Sequence, residues 1–267
     1  MKRNGASVGF VLIFFCVVNF SYGQKTTSLN LSSESSEKIK SIAASSPVAK
    51  YYWKPNRGIA PIGYIKGVGL TYAKSYQELK TEQDTAVSVM SRAIGDKKSD
   101  ALAWYAITTN SDVDRLRAIY TLALGLGMME SSGNTTVGWD RHKLKVGPKP
   151  TTDNSEAGLF QTSWDSRNRS PWLIKLYDQY QANPNQCQLL TFMEKVKDKN
   201  EPIYGTGKGG KFQKFNKECP AFATEYVMIM LRVNRSHFGP INIKKAEYNL
   251  DAEQMFRDIE KVVDNAI

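Results

Sequence analysis

Apolar residues along this chain recur mostly three and four positions apart, and runs of strict alternation are few. That period predicts helices and an all-α fold. The clearest helix begins at Ser111-Asp112-Val113-Asp114, where a serine followed three residues later by an acid marks a capped start. It continues through Leu116, Ile119, Tyr120, Leu122, Ala123, Leu124, Leu126 and Met129. Its second half is apolar on nearly every side, as expected of a central helix enclosed by others. Glu130 stands at its end. A second strongly apolar helix is predicted over Pro220 to Val233, and a final amphipathic one over Asp251 to Val263. Ile62 to Leu79, Thr85 to Ile94, Ala101 to Ile107, Ser170 to Tyr180 and Gln188 to Val196 also read as helices. Gly67 and Gly69 weaken the first of these, because a glycine inside a helix costs about 1 kcal/mol.

Between the helices, Ser131 to Ser155 is rich in Gly, Pro, Ser, Thr, Asn and Asp and reads as a long loop, a kind of segment that more often carries function than not. Gly205-Thr206-Gly207-Lys208-Gly209-Gly210 lacks both the strand-to-helix context and the Lys-Ser/Thr ending of a phosphate-binding loop. It is read as a flexible loop at the edge of a cleft.

The chain start adds a compartment. Lys2 and Arg3 precede an apolar run from Val8 to Val18, and small residues at Ser21 and Gly23 come just before Gln24, so residues 1–23 read as an export signal. The run is too short to span a bilayer comfortably, and no later segment is a candidate span. Cys16 follows Phe14-Phe15, where a lipid-attachment signal would want a small residue, so removal of the signal is expected, not lipidation. The expected location is the periplasm or the exterior. Residues 24–50, with serines crowded around Glu34, Glu37, Lys38 and Lys40, read as a linker or a loosely packed helix, and residues 51–267 as one helical domain.

Charge and cysteines narrow the chemistry. The formal net charge is +10, which serves solubility or attracts a polyanion. With an export signal and no nucleic-acid-binding motif, an anionic cell wall fits better than DNA or RNA. Once the signal is removed only Cys187 and Cys219 remain, and in an oxidising compartment they are expected to form a disulfide. The only histidines are His142 and His237, and zinc-ligand spacings are absent, so neither a metal nor a cofactor is expected. A monomer is expected.

Cleaving a glycosidic bond near neutral pH needs a carboxyl group kept protonated by apolar surroundings. A glutamate ending a buried apolar helix meets that need. Around Glu130 the order is Gly127-Met128-Met129-Glu130-Ser131-Ser132-Gly133, then Gly138-Trp139-Asp140-Arg141, then Glu156-Ala157-Gly158-Leu159-Phe160-Gln161-Thr162-Ser163-Trp164-Asp165. This order resembles the lysozyme-like superfamily, especially soluble lytic transglycosylases and goose-type lysozymes. The resemblance covers roughly Arg115 to Tyr180, and it implies a lysozyme-like helical domain with additional N-terminal helices.

The same resemblance implies that Glu130 is the catalytic acid and Ser131 a hydrogen-bonding partner beside the cleft. Gly158, Leu159, Phe160 and Gln161 would form the floor and wall of a sugar groove, with Gly158 a glycine so that backbone can approach sugar and acid. Asp140 and Asp165 are candidates for handling an attacking water. Trp164 and Tyr204 are candidate aromatic faces for sugar, as are Trp139, Trp172, Tyr177 and His237-Phe238, although packing in the core is the commoner role of such residues. Glu225, inside the second apolar helix, is expected to pair with Arg232 or Arg235. The implied activity is cleavage of the MurNAc-GlcNAc bond of peptidoglycan or a related amino-sugar polymer. Two alternatives stand beside it: a chitinase- or chitosanase-like hydrolase, and a wall-binding or structural protein without turnover.

Overall fold

A computed structural model of the chain describes residues 31–81, 85–139, 149–196 and 201–266. The expected export signal and Asp140 lie outside these residues. The fold is all-α: the described strands are β1 (Tyr52–Trp53) and β2 (Gly58–Ile59), a short antiparallel hairpin pairing Tyr52 with Ile59. Before it lies α1 (Ser33–Ser45), and after it come α2 (Ile62–Thr81), α3 (Ala86–Ser91), α4 (Ala101–Tyr105) and α5 (Asp112–Ser131). The second half carries α6 (Pro171–Ala182), α7 (Leu189–Phe192), α8 (Gly207–Glu218), α9 (Pro220–Val233), α10 (Gly239–Asn242) and α11 (Leu250–Asp264).

The core is built around α5, which packs against α2, α3, α9 and α11. Leu116, Ile119, Tyr120, Leu122, Ala123, Leu124, Leu126 and Met128 are all fully buried. Each such Leu or Ile contributes about 1.5–3 kcal/mol relative to an exposed position. The predicted cap is in place: the Ser111 hydroxyl accepts the Asp114 N–H at 3.0 Å, and Asp114 accepts the Asn110 N–H at 3.3 Å. One turn on, Arg117 bonds Asp114 at 2.9 Å and Glu260 of α11 at 2.7 Å, fastening the start of α5 to the closing helix.

Three elements depart from expectation. Residues 33–45 form a helix whose Ile39 and Ala43 are fully buried against the body of the fold, where a linker or loosely packed helix was expected. Gln188 to Val196 supplies only the short α7, whose Phe192 ring lies against α2. Gly67 is a glycine because a Cβ there would come within 2.4 Å of that ring, so the residue that weakened the helix prediction is where α7 docks. The glycine-rich stretch is not all loop: α8 starts at Gly207, held by the buried side chains of Phe212, Gln213 and Asn216. Tertiary packing overrides poor propensity there.

Glu225, 1% exposed on α9, pairs with Lys74 of α2 at 3.0 Å, not with Arg232 or Arg235. Desolvation pulls the Lys74 pKa down, but Glu225, Tyr180 and Glu78 outweigh it and hold the ammonium well above its usual range. Arg232 instead lies 3.3 Å from Asp100, both fully buried. Burial pulls its guanidinium down to about 10 against the attraction of Asp100, which leaves it cationic at neutral pH. Cys187 and Cys219 form the expected disulfide, tying the turn before α7 to the junction of α8 and α9. No helix among the described residues is long and apolar enough to cross a membrane.

Candidate functional site

Glu130 occupies the last turn of α5, the point where that buried helix reaches a cleft. The helix stops because Ser132 and Gly133 both take left-handed backbone, with φ of 54° and 73°. Their N–H groups fold back to cap the end: Ser132 donates to Met128 O at 3.0 Å and Gly133 to Gly127 O at 3.2 Å. Tyr64 of α2 fixes the helix from the side, its buried hydroxyl donating to Leu124 O at 2.9 Å. Burial pushes that phenol well above its usual pKa, so it remains a neutral donor.

Past the cap, the segment Thr136–Trp139 is held from both sides. On one side Gly158 N–H donates to Val137 O at 2.9 Å. On the other, Glu201 N–H donates to Thr136 O and Trp139 N–H to Pro202 O, both at 3.2 Å, and the Glu201 carboxylate accepts the Gly138 N–H at 3.0 Å. The buried Lys217 of α8 donates to the Glu201 carbonyl from below. These contacts bound a cleft of about 630 Å³ lined by Glu130, Val137, Gly138, Trp139, Glu156, Gln161, Glu201 and Pro202.

The expected site residues divide. Glu130 and Gln161 line the cleft together. Gln161, itself in left-handed backbone at φ 48°, donates its side-chain amide to Gly158 O at 2.9 Å and reaches Gly138 O at 3.4 Å. Tyr204 stands against Trp139, ring centroids 4.6 Å apart, and so backs the aromatic edge of the cleft.

The others lie elsewhere. The Ser131 hydroxyl is buried and donates back to Gly127 O of its own helix at 3.1 Å, so it faces α5 and not the cleft. Leu159 and Phe160 are core residues, 0% and 1% exposed. Apolar side chains in this tight turn gain more from burial than from lining a wet groove. Gly158 is a glycine for another reason than sugar contact: its φ is +83°, and a Cβ would lie 3.0 Å from the Asn216 backbone oxygen on α8. Trp164 packs edge-on against Tyr177 and Phe212, at 5.7 and 5.9 Å, with the Arg167 guanidinium over its outer face at 3.6 Å. It belongs to the aromatic core beneath α8. Asp165 is exposed in a 3-10 turn (Trp164–Arg169) and is not among the residues lining the cleft.

Two lining carboxylates were not singled out from the sequence as site residues: Glu156 and Glu201. Glu156 stands two residues before Gly158, inside the stretch that carries the resemblance, and this adjacency was a usable signal. Glu201 follows a charged run after α7, and nothing in its neighbours marks it. Glu156 has the His237 Nε2 at 3.7 Å from its Oε1. Among the described residues the cleft thus gathers three glutamates, an amide and an indole. Carboxyl groups in distinct surroundings can divide proton donation and acceptance between them, and an indole offers a flat apolar face to a sugar ring. Among the described residues no group of three or more His, Cys, Asp or Glu is arranged to hold a metal ion.

The fold and site together define an all-α protein with an acidic, aromatic-edged cleft at the end of its central helix. No protein-family model, no curated protein and no solved structure matches the chain.

Proposed function

We propose that this protein is an exported peptidoglycan-cleaving enzyme, a lytic transglycosylase or lysozyme, that breaks the MurNAc-GlcNAc bond with Glu130 as general acid and base. The observation that carries the reading is the position of Glu130: it ends a helix that is buried throughout its second half, and it opens into a cleft that also holds Gln161 and Trp139. In the bond-breaking step the Glu130 carboxyl gives its proton to the leaving glycosidic oxygen as positive charge develops on the ring. The step requires that this carboxyl be protonated when the sugar binds. Resemblance of Glu130-Ser131 and Gly158-Leu159-Phe160-Gln161 to the lysozyme-like motifs supports the same assignment, and the basic charge suits an anionic wall.

Mass analysis of fragments released from purified peptidoglycan tests the proposal. Wild-type protein is expected to release muropeptides, and Glu130→Gln to release almost none while keeping its fold. Cleavage of chito-oligosaccharides but not peptidoglycan would move the substrate to chitin. Binding without any release by the wild type would overturn the enzyme reading.

A further inference from the structure

We infer that Glu156 is a second catalytic carboxylate, the base that takes a proton from the water attacking the sugar, and that the reaction is therefore hydrolysis. The inference rests on the reading of Glu130 as the acid. Of the two aspartates that the sequence offered for this duty, Asp165 is exposed outside the cleft and Asp140 lies outside the described residues, so the base is sought among the described lining of the cleft. Among the described lining residues, the carboxylates besides Glu130 are Glu156 and Glu201.

Their surroundings separate the two. Glu201 has an oxygen committed to the Gly138 N–H at 3.0 Å, and its backbone joins Thr136 and Pro202's partner Trp139 in building the wall. Its carboxylate is a fastener. Glu156 is placed by the turn that follows it, where Ala157 bridges to Thr162 and Gly158 bonds Val137. It therefore comes from a different segment than Glu130 while facing the same space. His237, from the turn after α9, approaches it to 3.7 Å and is braced edge-on by the buried Phe238 at 4.8 Å. A helix-end carboxyl and a turn-borne carboxyl that face one space from separate segments can take the two proton-transfer roles of such a reaction.

The step balances as a single displacement. The oxygen of water bonds the anomeric carbon as the bond to the leaving oxygen breaks. The Glu130 proton passes to that leaving oxygen, and a proton of the water passes to Glu156. Exchange with solvent after product release restores both groups.

The experiment digests purified peptidoglycan in water enriched in oxygen-18, with wild type, Glu156→Gln and Glu156→Ala, each checked for an unchanged thermal midpoint. Wild type is expected to give reducing-end sugars carrying one heavy oxygen. Glu156→Gln should lose about 100-fold or more of that turnover, in the range typical of a lost general base. Sodium azide, a nucleophile that needs no base, should restore bond cleavage to Glu156→Ala and leave a glycosyl azide product. Anhydro-sugar products without label from the wild type would overturn the role of Glu156 and leave Glu130 standing. Undiminished hydrolysis by Glu156→Gln, or a folded Glu156→Ala that azide does not rescue, would overturn it equally. Absence of any cleavage by the wild type would remove the reading on which it rests.

Discussion

Helices α5 and α9 are both buried along most of their length, and each carries one glutamate that looks out of place. In α9, Glu225 lies mid-helix, 1% exposed, and meets Lys74 of α2 at 3.0 Å, with the Ser75 hydroxyl donating to it at 3.2 Å. In α5, Glu130 lies in the final turn, half-buried, where the helix gives way to a cleft. Apolar surroundings alone therefore do not mark a reactive acid. A carboxylate inside the core is paired with a cation from the neighbouring helix and acts as a structural tie. A carboxyl at the open end of such a helix has apolar backing on one side and room for a ligand on the other.

The difference can be broken experimentally, beginning with the core. Glu225→Ala leaves the buried Lys74 ammonium with Glu78, at 3.0 Å, as its remaining carboxylate partner, so it is expected to destabilise the protein by about 3 kcal/mol, the lower end for a broken buried pair. Chemical denaturation measures this, and a loss under about 1 kcal/mol would mean that the buried pair is dispensable. Replacing Lys74 and Glu78 as well, as in Lys74→Met and Glu78→Gln with Glu225→Leu, should recover part of the loss, because removing the buried charges together removes their desolvation cost.

Of similar size is the effect of Cys187→Ser, which opens the disulfide that anchors the far end of α9. For a closed loop with a sequence separation of 32, the chain-entropy model gives a cost of about 3–4 kcal/mol. Reductant should lower the wild-type melting temperature by the same amount and leave the variant's unchanged.

At the cleft, Gly158→Ala forces a Cβ into left-handed backbone and towards Asn216. A cost of about 1–2 kcal/mol is expected from the conformation alone. The Gly158–Val137 hydrogen bond should weaken with it, so slower glycan cleavage should accompany the loss. A smaller effect belongs to the start of α5, where Ser111→Ala removes the cap on the Asp114 N–H and should cost about 1 kcal/mol.

The pH dependence of that same turn follows from Asp114. Desolvation raises its pKa, but hydrogen bonds from Arg117, Ser111 and Asn110 outweigh this and leave it below the ordinary 3.8. A folded-state pKa below the unfolded one stabilises the protein at pH values above the unfolded pKa, and the contribution fades as pH falls through the folded value. Asp114→Asn should therefore flatten the acid limb of the stability curve below about pH 4 and leave the neutral limb offset by a constant. An unchanged acid limb would assign the acid sensitivity to other carboxylates.

These variants also trace how far the sequence could be read. The bounds of α9 and the capped start of α5 were legible because long apolar runs and a Ser-x-x-Asp signal agree with each other. Burial of α1 was not, since its serines hide a stripe in which Ile39 and Ala43 alone are fully covered. Helix α8 was hidden by its glycines and is specified by contacts from far along the chain. The partner of Glu225 lies 151 positions away, and no local pattern reports a pair at that distance. At the cleft, Glu130 and Gln161 were legible as parts of a motif. Ser131, Leu159, Phe160 and Trp164 belong to the same motif, yet they fold into helix, core and aromatic cluster. The Gln161 turn and the end of α5 meet at one cleft, and the direction of each side chain was decided by packing.

The central claim is that the Glu130 carboxyl supplies the proton that breaks the glycan. Its most direct test is the initial rate of soluble muropeptide release from purified peptidoglycan by Glu130→Gln beside the wild type, with both proteins shown to share one melting temperature and to sediment with the polymer. The account expects release by the wild type and a loss of about 100-fold to 10,000-fold in the variant, the span of a general acid's contribution. Equal rates from the two proteins, or no release by either, would contradict it.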